Sequence, residues 1–107
     1  MNDTYLKSKK ILIVDDEECL RSMLITILED ENFLNIITAD CVKTALEICQ
    51  QEKPDIAILD VMLPDGNGFE LMETLRSFTN IPVIFLTAKD DIHIPCLFMG
   101  WGIQHGE

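Results

Sequence analysis

The chain has 107 residues and a mass of 12.2 kDa, enough for one small domain. Eight Lys and Arg face 19 Asp and Glu, a formal net charge of −11 at pH 7, and 48% of residues are apolar. That balance excludes a disordered chain and disfavours nucleic acid and anionic membranes, which need clustered positive charge. Direct nucleic acid binding by this segment is not expected.

No stretch reads as a targeting or membrane element. Residues 1–10 are polar and charged, and the apolar run that follows stops at Asp15. No window approaches the roughly 20 apolar residues of a membrane span. The cysteines (Cys19, Cys41, Cys49, Cys96) form no CxxC pair and have no His at ligand spacing. Cys49 falls on an apolar helix face, where a thiol acts as a small hydrophobe. Reduced thiols in a cytoplasmic protein are the expectation.

Ile11-Leu12-Ile13-Val14 is a continuous apolar run, as in a strand buried on both faces. Leu20, Met23, Leu24, Ile27 and Leu28 then repeat at i, i+3, i+4, i+7 and i+8, one face of a helix. Ile36-Ile37-Thr38-Ala39 is a second strand, and Val42, Ala45, Leu46 and Cys49 mark a second helix, broken at Pro54-Asp55. Ile56-Ala57-Ile58-Leu59 is a third strand. A turn-rich loop follows, Leu63-Pro64-Asp65-Gly66-Asn67-Gly68, and then a helix whose inner side is Phe69, Met72, Leu75 and Phe78. Pro82-Val83-Ile84-Phe85-Leu86 is the fourth strand. The order βαβαβαβ predicts an α/β fold, a doubly wound parallel sheet with helices on both faces.

Past Ala88 the periodicity fails. A helix starting near Asp90 or Asp91 would contain Pro95, and Cys96 to Ile103 is apolar and glycine-punctuated without a period. The expected division is an N-terminal extension over residues 1–9, a core over 10–91 and a divergent tail over 92–107.

Ligands of open parallel sheets bind beyond the carboxyl ends of strands, near the reversal of winding. Those ends carry Asp15-Asp16, Asp60 and Thr87. If the first and third strands are neighbours, three carboxylates and a hydroxyl share one crevice. Two carboxylates about 5 Å apart repel by roughly 3 kcal/mol at an effective dielectric near 20. A trio must raise its pKa values or recruit a cation, and hard oxygen donors suit Mg2+ better than Zn2+. One carboxylate can then act as nucleophile and become an acyl phosphate, with Thr87 donating its hydroxyl to a phosphoryl oxygen. Singly, each motif has a plainer reading. Asp15 or Asp16 could cap the helix, Glu17 and Glu18 could be its solvated start, and Asp55 and Asp65 read as turn residues.

Three segments together resemble the receiver domain of bacterial response regulators. Ile11 to Glu17 is similar to the family's acidic-pair strand, Pro54-Asp55 through Asp60 to Gly68 to its phosphoacceptor strand and loop, and Pro82 to Lys89 to its switch strand. The resemblance implies a flavodoxin-like receiver with strand order 2-1-3-4, its fifth strand and helix missing or replaced by the tail. It further implies Asp60 as phosphoacceptor, Asp15, Asp16, Asp60 and the Met62 backbone carbonyl as Mg2+ ligands, Thr87 as switch hydroxyl and a sensor histidine kinase as donor. Such a module is not an enzyme, although it takes part in its own phosphorylation. The family's Lys-Pro strand end would fall just beyond Glu107, and Lys89 matches a different, loop position. The expectation is therefore a truncated or frameshifted product, or a tail that packs differently, with an apolar edge at Pro82 to Leu86 and without the usual dimerisation face. The alternatives are a non-phosphorylating interaction module or inactive remnant, and, more weakly, a phosphatase with an aspartyl nucleophile, disfavoured because Met62 stands where a second Asp is usual.

Overall fold

The computed structural model describes residues 8–88 and 95–99, with backbone alone for 87, 88 and 95–99. The elements run β1 (Ile11–Val14), α1 (Glu18–Asp30), β2 (Ile36–Ala39), α2 (Val42–Glu52), β3 (Ile56–Asp60), β4 (Met62–Leu63), β5 (Gly66–Asn67), α3 (Gly68–Leu75), β6 (Val83–Ala88) and β7 (Pro95–Met99).

β1 is central because all four of its residues are apolar and buried. It pairs in parallel with β2, Ile11 opposite Ile36, and with β3, Ile11 opposite Ile56; β6 lies parallel on the far side of β3. The sheet order is β2-β1-β3-β6-β7, so the four expected strands stand in the expected 2-1-3-4 order.

Alternation along the strands makes two half-cores. Leu12, Val14, Ala57, Leu59, Val83 and Phe85 face α2 and α3, which supply Ala45, Cys49, Leu71 and Leu75. Ile11, Ile13, Ile58 and Leu86 face α1, which lays Leu20, Leu24, Ile25 and Leu28 over them.

Three expectations need correction. The edge of β6 is not bare: β7 pairs with it antiparallel, Phe85 opposite Phe98 and Ala88 opposite Pro95. Pro95 opens that strand, where its missing amide is tolerated. On α1, Met23 and Ile27 are 42% and 51% exposed, and no residue of the helix is fully buried. Among the described residues α1 is the single helix on its side of the sheet, and the outer half of its apolar stripe stays exposed. On α3, Phe69 and Phe78 are 46% and 43% exposed while Leu71 and Leu75 are fully buried. The helix ends at Leu75, so Phe78 lies outside it, and Phe69 sits at the rim with its ring 4.6 Å from that of Phe85.

These exposures separate two substitutions. Leu71→Ala should cost about 2–5 kcal/mol in urea denaturation, and Ile27→Ala less than about 1 kcal/mol. Equal losses would mean that α1 is as deeply packed as α3.

Candidate functional site

The register of β1 on β3, Val14 opposite Leu59, brings Asp15 beside Asp60 at the carboxyl end of the sheet. The Asp15 amide donates to the Ala39 carbonyl at 3.1 Å, continuing the ladder one residue beyond β1. Oxygens of Asp15, Asp16 and Asp60 all lie within 4.8 Å of one another. The predicted trio is assembled.

The three differ in burial. Asp15 is fully buried, Asp60 half-buried and Asp16 exposed. Asp15 Oδ1 accepts the Glu17 amide at 2.8 Å, whereas its Oδ2 is buried without a hydrogen-bond partner. Burial raises the Asp15 carboxyl from 3.8 to about 6; the Glu17 amide opposes this, and the charges of Asp60 and Asp16 add to it. Asp60 is also raised, first by burial, against the amide of Met62, which donates to its Oδ1 at 3.3 Å.

A buried carboxylate oxygen with no donor, beside two further carboxylates, calls for a cation. The donors are all oxygen, the chemistry of Mg2+ or Ca2+ rather than Zn2+. The residues present therefore fit a hard divalent ion.

Neighbouring backbone holds this geometry. Gly68 opens α3 so close to β3 that a Cβ there would overlap the Asp60 carbonyl oxygen, and its amide donates to the Val61 carbonyl at 2.9 Å. Arg21 of α1 donates from Nη1 to the Asp15 carbonyl at 2.6 Å. Neither Asp15 nor Asp16 is the helix cap: Glu17 holds that position and makes no side-chain cap bond.

Met62 lies on β4 with its side chain 77% exposed, so its contact with the site is through backbone. Thr87 is on β6, one residue past Leu86, the partner of Asp60; its side chain and Lys89 lie outside the described residues. Cys19, Cys41 and Cys49 are free thiols, and burial pushes Cys49 up to about 11.

Asp55 and Asp65 are more than turn residues. Asp55 accepts the Lys10 amide at 2.8 Å, and Asp65 accepts two amides of α2. Each Asp follows a proline, Pro54 or Pro64, a local turn pattern that gives no hint of partners so distant in the chain.

Residues 11–104 match the profile of the response regulator receiver domain, a stretch that continues past residue 91. The sensory transduction protein LytT of Bacillus cereus is 46% identical over 83 residues, 76% of this chain and 34% of its own. The transcriptional regulatory protein YvrH of Bacillus subtilis is 36% identical over 84 residues, 78% of this chain and 35% of its own. Among solved structures, the BeF3-activated receiver domain of Klebsiella pneumoniae RstA superposes with a TM-score of 0.70 at 29% identity, covering 78% of this chain and 70% of that one. The N-terminal domain of a response regulator receiver protein from Methanoculleus marisnigri JR1 gives 0.71 at 33%, covering 76% and 68%. The chain belongs to the response regulator receiver family, whose members are signalling modules of two-component systems. It spans about a third of the length of the curated relatives it matches. Among the described residues no helix is long and apolar enough to cross a membrane.

Burial of Asp15 has a pH consequence. Its carboxyl binds a proton more tightly in the folded chain, about 6 against 3.8, so without divalent ions this group lowers stability as pH rises from about 4 to above 6. Asp15→Asn keeps an acceptor for the Glu17 amide and removes the charge. Near pH 4 the variant should match the wild type; near pH 7.5, in chelator, urea denaturation should find it more stable by roughly 1–3 kcal/mol. A difference that does not change with pH would count against this origin.

Proposed function

We propose that Asp60 is the phosphoacceptor of a two-component phosphorelay, charged from a phosphohistidine of a sensor histidine kinase in a Mg2+-dependent reaction in the cytoplasm. The observation that carries this is the unpartnered, buried Asp15 Oδ2 beside Asp16 and Asp60.

Asp15, Asp16, Asp60 and the Met62 carbonyl would hold the ion. When bound, it neutralises charge between the carboxylates and the incoming phosphoryl oxygens. An Asp60 carboxylate oxygen forms the new bond to phosphorus as the P–N bond to the kinase imidazole breaks, the imidazole nitrogen leaving with the electron pair. The Met62 amide holds Oδ1, fixing the carboxylate plane before attack. Thr87, at the end of the strand next to Asp60, is the hydroxyl that donates to a phosphoryl oxygen. Beryllium trifluoride, which activates the RstA receiver, has the charge and shape of a phosphoryl group. The product is a modified protein, so the module signals and turns over no metabolite.

Incubation with Mg2+ and acetyl phosphate should add the mass of one phosphoryl group to the wild type and none to Asp60→Asn. Chelation should slow the reaction by at least about tenfold. Absence of an adduct on folded wild-type protein would favour a non-phosphorylating remnant, and steady release of phosphate from a metabolite would favour a phosphatase.

A further inference from the structure

The loop between β3 and α3 folds back as a two-rung hairpin, Met62 opposite Asn67 and Leu63 opposite Gly66, with Pro64 and Asp65 at its tip. The Asp65 carboxylate reaches away from its own turn. Its Oδ1 accepts the Val42 amide at 2.7 Å and its Oδ2 the Lys43 amide at 3.1 Å, the first two residues of α2. That helix has no side-chain cap of its own: its N-cap residue, Cys41, makes none, and the Cys41 thiol sits 3.3 Å from the Thr44 hydroxyl. The same surfaces also approach closely at Gly66, where an added Cβ would lie only 3.1 Å from Val42 Cγ2.

The hairpin's other end is fastened to the acid cluster. Met62 donates its amide to Asp60 Oδ1, Gly68 donates to the Val61 carbonyl, and Asn67 caps α3 by accepting the Glu70 amide at 2.8 Å. A short piece of hydrogen-bonded backbone thus connects the first turn of α2 to the acceptor carboxylate. The Val42 amide chiefly, with that of Lys43, also holds the Asp65 carboxyl below its ordinary value, so the cap stays ionised at neutral pH.

We infer that Asp65 is a positioning residue: by clamping the hairpin to α2 it sets where the Met62 backbone and the Asp60 carboxylate stand, and so tunes the cluster's grip on a divalent cation. This rests on the reading of Asp15, Asp16 and Asp60 as the Mg2+ site given above. Ligand orientation by an outer group is a recognised lever on metal affinity. Coupling is reciprocal, so a cation bound at the cluster must in turn steady the first turn of α2.

The test compares the full chain with Asp65→Ala, Asp65→Asn and Val42→Pro. Asn keeps one acceptor oxygen. Proline at the first helical position removes one of the two donors from the opposite side of the contact, at a site where helices accept it. Mg2+ titration by calorimetry should show affinity weakened about tenfold in Asp65→Ala, weakened in the same direction in Val42→Pro, and largely recovered in Asp65→Asn. Hydrogen exchange at the Val42 and Lys43 amides should slow on adding Mg2+ to the wild type and lose that response in Asp65→Ala. Wild-type Mg2+ affinity in a folded but less stable Asp65→Ala would overturn the inference, leaving a plain helix cap. If Asp65→Ala does not fold, the Val42→Pro titration decides in the same way. Failure of the wild type itself to bind Mg2+ would overturn both the site reading and the clamp, whereas normal binding by every variant would overturn the clamp alone.

Discussion

The constraint on which the site depends is a carboxylate placed at the buried end of the central strand. Asp15 has no solvent exposure and an oxygen with no hydrogen-bond partner, and it shares its corner with Asp16 and Asp60. Unit charges at 4.8 Å repel by about 3 kcal/mol at an effective dielectric near 20. The apolar strands below them supply the rigidity that keeps such an arrangement from relaxing, because β1 is paired on both edges and covered on both faces. Stability and the site therefore pull in opposite directions: the better β1 is buried, the harder Asp15 is to ionise without a counter-ion. Two hydrogen bonds at this rim, from the Arg21 guanidinium to the Asp15 carbonyl and from the Gly68 amide to the Val61 carbonyl, fix main chain without occupying a carboxylate oxygen.

What the sequence made legible is what local pattern encodes. Four apolar runs alternating with helical spacing state a parallel order, and an Asp closing a run states a strand end. The acid trio could be read because register follows once those strands are neighbours. Helix faces were harder. Phe69, Met72, Leu75 and Phe78 match a helical period, but so does the pair Leu71 and Leu75, and the buried pair is the one that meets Leu59 and Val83. Met23 and Ile27 have the right spacing on α1 and still face outward, since a stripe is buried only as far as neighbours extend over it. The strand β7 was missed although Cys96 to Met99 is an apolar run like that of β1, because Pro95 argues for a break and no amphipathic helical pattern precedes the run in the sequence. The clamp at Asp65 was invisible for a different reason. An Asp between Pro and Gly has a sufficient local explanation as a turn former, and its partners lie 22 and 23 residues upstream.

The two faces of the sheet are built unequally. The side of α2 and α3 closes over a dozen buried residues, with Ala45 and Gly68 allowing close approach of helix to strand. Among the described residues the opposite side has four buried residues and a helix with none. The site sits where the stronger half meets the sheet's end, and Asp60, the hairpin and α3 all belong to that half. Burial is densest next to the carboxylates, while exposed apolar side chains occur on both halves: Met23 and Ile27 on α1, and Met62, Phe69 and Phe78 in or beside the hairpin and α3.

A helix beginning two residues after β2 has its first amides close to the sheet's carboxyl end, as has the hairpin after β3. Any acidic residue at the hairpin tip can therefore reach those amides, and ionised acceptors are favoured there by the helix dipole as well as by the bonds themselves. The pairing of Asp65 with Val42 and Lys43 fulfils this at no cost to the cluster: its charge is absorbed by α2 instead of adding to that of Asp15, Asp16 and Asp60. In so acidic a chain the placement of each carboxylate matters. Asp55 is likewise spent on the Lys10 amide at the opposite end of β1, and Glu52 on the Lys10 ammonium. Asp55, Asp65 and Glu52, which close the fold, are engaged by backbone amides or lysine, whereas the three at the strand ends keep their mutual repulsion, free energy that a cation held there would relieve.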